Sequence, residues 1–228
     1  DHKLLTWRAD ESSSKLSIRN EELSKATEEI TEARDRLHQM SYYDNLTSLP
    51  NRRLFTEQLD LLLRLSERNR KPIALLFLNL NNFKRINDSL GHSAGDLLLQ
   101  EVAKRLTGCL RNSDMLAHHV EAGPRIDVSR LGGDEFTVVL NQLDTIDSAG
   151  LIAQRVVDSL VEPMVIEGHE VVVTPSVGIA TAPRDAADVE GLLRTANIAM
   201  HHAKASTSGD FLFYTEDMDA AGLDHLKL

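Results

Sequence analysis

The stretch Val-Ser-Arg-Leu-Gly-Gly-Asp-Glu-Phe-Thr-Val-Val-Leu, residues 128 to 140, constrains the fold more than any other. Two β-rich runs flank a pair of glycines, which is the pattern of strand, tight turn, strand. A hairpin places two sequence-adjacent strands side by side and antiparallel. It therefore excludes a sheet made only of parallel strands joined by helices. The rest of the chain must be arranged around this hairpin.

The surrounding sequence alternates long helical patterns with short strands. Asn51 is a cap for a helix from Arg52 to about Asn69, whose apolar face is Leu54, Phe55, Leu59, Leu62, Leu63 and Leu65. After Pro72, Ile73–Leu80 reads as a buried strand. Phe83–Leu90 is a short helix broken at Gly91, and Gly95 precedes a longer helix over about Asp96–Leu110. Residues 115 to 127 are irregular, with a Gly123-Pro124 loop. A helix over about Ser148–Leu160 follows the hairpin. Val165-Ile166 and Val171–Thr174 then flank a second turn, Ser176–Ala180 is strand, Val189–Ala205 is an amphipathic helix, and Phe211–Tyr214 is a last strand. This order predicts an α+β fold, a mostly antiparallel sheet with flanking helices and hairpins.

Before the globular part, Leu16, Leu23, Ile30 and Leu37 recur every seven residues, and Arg19, Ala26, Ala33 and Met40 follow each by three. The spacing fits a single helix lying on the domain or a coiled coil joining two copies. The polar opposite face favours the coiled coil. The expected organisation is a helical linker over 1–41, a globular domain over 42–216, and the start of another linker over 217–228.

The formal net charge of the 228 residues is −10, which disfavours broad binding to nucleic acid. A small anionic ligand would need a local basic group or a cation. One cysteine, Cys109, excludes an internal disulfide framework and suits a reducing cytoplasm. In its helical setting it reads as a small buried residue. His118-His119 and His201-His202 lack the spacing of a zinc site. The sequence begins at Asp1 without a signal pattern and is expected to be a fragment of a longer protein.

Chemistry concentrates in two places. Gly132 and Gly133 allow a ligand close to the backbone, and Asp134 and Glu135 follow at once, one directed to each face of the strand. The buried strand ends in Asn79-Leu80-Asn81-Asn82, followed by the polar residues Lys84, Asn87, Asp88 and Asp96. Gly-Gly-Asp is also ordinary turn chemistry, and Asp96 is also placed to cap a helix.

Taken together, these motifs resemble the GGDEF domains, the diguanylate cyclases. Arg-Leu-Gly-Gly-Asp-Glu-Phe matches their signature. The segments Asp-Asn-Leu-Thr-Ser-Leu-Pro-Asn-Arg from Asp44 and Phe-Lys-Arg-Ile-Asn-Asp from Phe83 are similar to further family motifs. So are "TPSVGIA" and "ANIAMHHAK" in the later part of the chain, and the resemblance covers about residues 42 to 216. It implies a palm like that of the nucleotide cyclases, and condensation of two GTP molecules into cyclic di-GMP.

The resemblance also implies roles. Asn87 and Asp96 would read guanine, whose adjacent N–H donors suit a carboxylate acceptor. Lys204 would contact phosphate, with Lys84 a weaker counterpart, and Gly132 and Gly133 would admit the nucleotide. Asp134, the strand position now held by Asn79 and the Leu80 backbone would hold Mg²⁺ or Mn²⁺, and Glu135 would be the general base. The family's strand ends Asp-x-Asp, whereas this chain has Asn79 and Asn81, so the metal is expected to be held weakly. An Arg that usually follows Lys204 is missing, and Asn197 stands where Asp is common. Arg111 and Asp114 match the family's inhibitory Arg-x-x-Asp site for cyclic di-GMP, although 17 residues separate Asp114 from Gly132.

Three functions compete on this basis: a dimeric cyclase, a GTP- or cyclic di-GMP-binding regulator of an adjoining EAL phosphodiesterase, and a dimerisation element with no ligand. Asn79 divides the first from the second, and Asn87, Asp96 and Lys204 argue against the third. The whole protein is expected to have a sensor–GGDEF–EAL order and to act in the cytoplasm, with membrane anchoring of the sensor compatible.

Overall fold

The computed structural model describes residues 2–114, 128–141, 143, 145–206 and 211–219, with the side chains of 2–18, 22, 35 and 111–114 outside that description. The chain divides into two compact units, one through Tyr42 and one from Tyr43.

The first unit is one helix, α1, His2–Tyr42. Leu23, Ile30, Leu37 and Met40 are 64% to 69% exposed on it. Those side chains form the apolar seam read from the heptads, and Leu16 lies outside the described side chains. No helix among the described residues is long and apolar enough to cross a membrane.

The second unit is built on a five-stranded sheet. Its elements are α2 (Arg52–Asn69), β1 (Ile73–Leu80), α3 (Phe83–Leu90), α4 (His92–Asp114), β2 (Val128–Gly132), β3 (Glu135–Leu140), α5 (Asp147–Val161), β6 (Pro175–Ala182), α6 (Val189–Ala205) and β7 (Phe211–Phe213). A small separate hairpin comprises β4 (Met164–Ile166) and β5 (His169–Val171). The strand order in the main sheet is β2-β3-β1-β6-β7, antiparallel except for the β6–β7 edge. This is the α+β architecture predicted from the hairpin.

β1 is central, and all of its residues are buried. Its side chains alternate between the two faces of the sheet. Ile73, Leu75 and Phe77 pack with Phe55 and Leu59 of α2 and with Leu192, Ala196 and Met200 of α6. Leu76, Leu78 and Leu80 pack with Leu98, Val102 and Leu106 of α4 and Val156 and Leu160 of α5. The result is three layers, helix pair, sheet, helix pair, with β1 between two apolar cores. Asn79 continues the stripe that faces α2 and α6. It is the polar end of an otherwise apolar row.

Local chemistry sets the boundaries. The Asn51 side chain accepts from the Leu54 amide at 3.1 Å and starts α2, and Arg70, with φ 54°, stops it. Gly91, with φ 89°, ends α3. The helix that follows begins at His92 and not near Asp96 as predicted. Gly95 therefore lies inside α4 and does not break the chain before it. Asp96 sits in the second turn and is no cap. The second strand of the small hairpin ends at Val171, short of the predicted Thr174. The irregular segment 115–127 lies outside the described residues.

Candidate functional site

The tip of the β2–β3 hairpin is held by a clamp that connects three distant stretches. Asp44 folds the loop before α2 by accepting from the Thr47 amide at 2.9 Å and the Thr47 hydroxyl at 2.6 Å. The same oxygen accepts from Arg130 Nη1 at 2.8 Å. The Arg130 guanidinium then donates from Nε and Nη2 to the Gly133 carbonyl, at 3.1 and 2.7 Å. A planar donor fork on one carbonyl fixes the turn in place. Burial pushes the Asp44 carboxyl up, but the hydrogen bonds from Thr47 and Arg130 outweigh it and hold the group below its ordinary value. Gly132 and Gly133, with φ 144° and 53°, make the turn itself. The sequence reading missed Arg130 and Asp44 as partners. Both occur in the matched motifs, but their mutual contact spans 86 residues.

On the α2/α6 side, Asn79 of β1 stands opposite Glu135 of β3 in register. Opposed residues of an antiparallel pair point to the same face. Lys204, in the last turn of α6, reaches this face and donates to Asn79 Oδ1 at 2.7 Å. Arg52, at the start of α2, lies 3.9 Å from Glu135 Oε2. Asp134 sits in the turn, partly buried, and its carbonyl accepts from the Leu80 amide at 3.3 Å. Asn81 serves the fold instead, because its Oδ1 accepts from Ser176 Oγ at 2.9 Å and its backbone amide donates to the Thr174 carbonyl.

On the opposite side of the turn after β1, Asn87 projects from α3 and Asp96 from α4. Asp96 is exposed, as is Lys84. The Asn87 Oδ1 atom is buried and has no hydrogen-bond partner among the described residues. It lies so close to Gly95 that a Cβ there would come within 1.8 Å of it. Gly95 is thus what leaves room for the Asn87 amide, a role that the sequence reading missed. The available signal was a glycine directly before the acid assigned to guanine.

The structure therefore places Asn79, Lys204 and Glu135 together, and Asn87 beside α4 across the turn. The Arg111 and Asp114 side chains lie outside the described residues, as do His118 and His119. His202 has one ring nitrogen 3.1 Å from the Met218 carbonyl, an ordinary structural contact.

The family's chemistry uses divalent ions, and the groups that would hold one here are the Asp134 carboxylate, the Leu80 backbone and the amide oxygen of Asn79. The Asn79 oxygen faces an ammonium, and Mg²⁺ depends on anionic oxygen and ordered water.

A family profile described as "Diguanylate cyclase, GGDEF domain" matches residues 41–209. The chain is 36% identical over 199 residues to the bifunctional diguanylate cyclase/cyclic di-GMP phosphodiesterase MucR of Pseudomonas aeruginosa, covering 87% of this chain and 27% of that protein. It is 34% identical over 222 residues to the cyclic di-GMP phosphodiesterase NbdA of the same organism, covering 97% of this chain and 27% of the relative. The chain thus spans about a quarter of the length of these relatives. A solved structure of the GGDEF domain of TpbB, also from Pseudomonas aeruginosa, superposes with a TM-score of 0.71 at 34% identity, covering 80% of this chain and 99% of the other.

Proposed function

This chain belongs to the GGDEF family of diguanylate cyclase domains, and on that premise we propose that it binds GTP while making little cyclic di-GMP itself. The observation that carries the proposal is the hydrogen bond from Lys204 to Asn79. The position that would bring negative charge to a metal is neutral, and its oxygen is engaged by an ammonium. The guanine side supports retained binding. Asn87 keeps a buried amide oxygen with no partner among the described residues, against Gly95, the residue before Asp96.

Such a domain acts by occupancy. Relatives named as a bifunctional cyclase/phosphodiesterase and as a phosphodiesterase contain a region like this one within much longer chains. This supports a regulatory domain whose GTP-bound state controls an adjoining EAL phosphodiesterase, in a protein with a sensory part. The exposed Leu23, Ile30 and Leu37 seam of α1 supports pairing of two copies. Arg111 and Asp114 stay a proposed inhibitory site for cyclic di-GMP.

The test is chromatography of products from GTP and Mg²⁺, run beside calorimetric titration of GTP and ATP on the same sample. Little or no cyclic di-GMP is expected, with GTP bound at least about tenfold more tightly than ATP, the value of one buried polar contact. Brisk synthesis overturns the loss of activity. Equal affinity for the two nucleotides overturns the guanine reading.

A further inference from the structure

Asn79 has a single acceptor oxygen, and the other end of its amide is an NH₂ donor. With Oδ1 turned to the Lys204 ammonium, the second end presents hydrogens, which repel a cation. A carboxylate in this place has two oxygens and serves an ammonium and a metal together. A magnesium ion requires oxygen at about 2.0–2.1 Å, so at Asn79 it must displace the ammonium and then lie beside a like charge. The residue opposite in register, Glu135, is also faced by a side-chain cation, Arg52 at 3.9 Å. Asn79 and Glu135 are thus each faced by a side-chain cation, while Asp134 in the turn supplies the remaining carboxylate.

We propose that Lys204 is the resident cation of this site, so that the phosphates of a guanine nucleotide are bound here in their metal-free form. An ammonium has three donors, and Asn79 takes one of them. The site then recognises a nucleoside polyphosphate as a bare anion, while the cyclases of the family engage a nucleotide with its metal. This inference rests on the GTP-binding reading given above and concerns how that binding is made.

The decisive measurement is calorimetric titration of GTP into the whole chain, once with Mg²⁺ and once with EDTA. The two dissociation constants are expected to agree within about threefold. Lys204→Met is expected to weaken binding in EDTA by about tenfold or more, and Asn79→Asp to make affinity rise with Mg²⁺ by about tenfold. Water-proton relaxation during titration with Mn²⁺ alone gives a readout without nucleotide, showing tighter Mn²⁺ binding by Asn79→Asp than by the parent. An affinity of the parent that falls at least about tenfold in EDTA overturns the inference and leaves the GTP-binding reading standing. Absence of GTP binding in both buffers overturns that reading itself. The comparison of buffers uses the parent chain alone and does not depend on whether either variant folds.

Discussion

Asn79 and Asn87 stand on either side of the turn that follows β1, and each carries an amide oxygen removed from solvent. At Asn79, which is 7% exposed, the oxygen accepts from Lys204. At Asn87 the oxygen is buried and has no partner among the described residues. A buried polar atom left unpaired costs about 1–3 kcal/mol. Ser129, Thr137 and Asn197 also carry buried side-chain oxygens with no partner among the described residues. Asn79 thus has its partner within the second unit, in Lys204, whereas Asn87 is packed against Gly95. The contrast teaches that the two amides are seated by different neighbours, a lysine of α6 for Asn79 and the space left by Gly95 for Asn87.

The strongest way to break the contrast is through Gly178 of β6. A Cβ there would meet the Ala196 carbonyl at 2.1 Å and the Met200 amide at 2.2 Å, both in α6. Gly178→Ala must lift the helix that carries Lys204. Urea denaturation is expected to show a loss of about 3 kcal/mol, the upper range for overpacking. An unchanged midpoint contradicts the close seating of α6 on the sheet.

A smaller effect is expected on the other side. Gly95→Ala places a methyl on Asn87 Oδ1 and pushes the amide away. GTP affinity should fall about tenfold, or about 1.4 kcal/mol, with ATP affinity changed much less. Equal losses for both nucleotides would mean that Asn87 does not read the base.

The smallest effect belongs to the clamp at the hairpin tip, which touches neither oxygen. Asp44→Asn keeps the shape but removes the charge that faces Arg130 and should lower stability by about 1 kcal/mol at neutral pH. The Asp44 carboxyl titrates lower in the folded chain than its ordinary 3.8. Its stabilisation is therefore complete above that value and is lost as pH falls through the depressed folded value. The Asn variant lacks this component, so the gap between parent and variant should narrow on acidification. Thermal melting across acidic pH checks the sign.

The sequence yielded those features that local chemistry decides. Asn51 and Leu54 are three residues apart, so the start of α2 was legible as a cap. The apolar run of β1 and the two-glycine turn were legible for the same reason. The start of α4 was misread because glycine near a predicted helix start normally signals a break. At Gly95 the missing side chain serves a neighbour's amide instead. Lys204 and Asn79 were each singled out, one for phosphate and one for metal. Their direct bond was not legible, because no pattern along the chain links residues 125 positions apart. The Asp44–Arg130 pair was hidden in the same way.

The position of β1 at the centre of the sheet has a further consequence, for the order in which the molecule assembles. β1 is made early in the chain, yet both of its neighbours, β3 and β6, come from much later segments. Pairings of such long sequence separation form late, because a large loop must close before any contact rewards it. The bond between Asn79 and Lys204 requires β1 and α6, so it reports nearly the entire second unit. A chain that has not paired β1 with β6 and seated α6 lacks that bond. Nucleotide should therefore act on the whole cooperative unit, raising the free energy of unfolding by about 2.7 kcal/mol when present at a hundredfold excess over its dissociation constant. With the GTP binding proposed above, binding and foldedness become one variable.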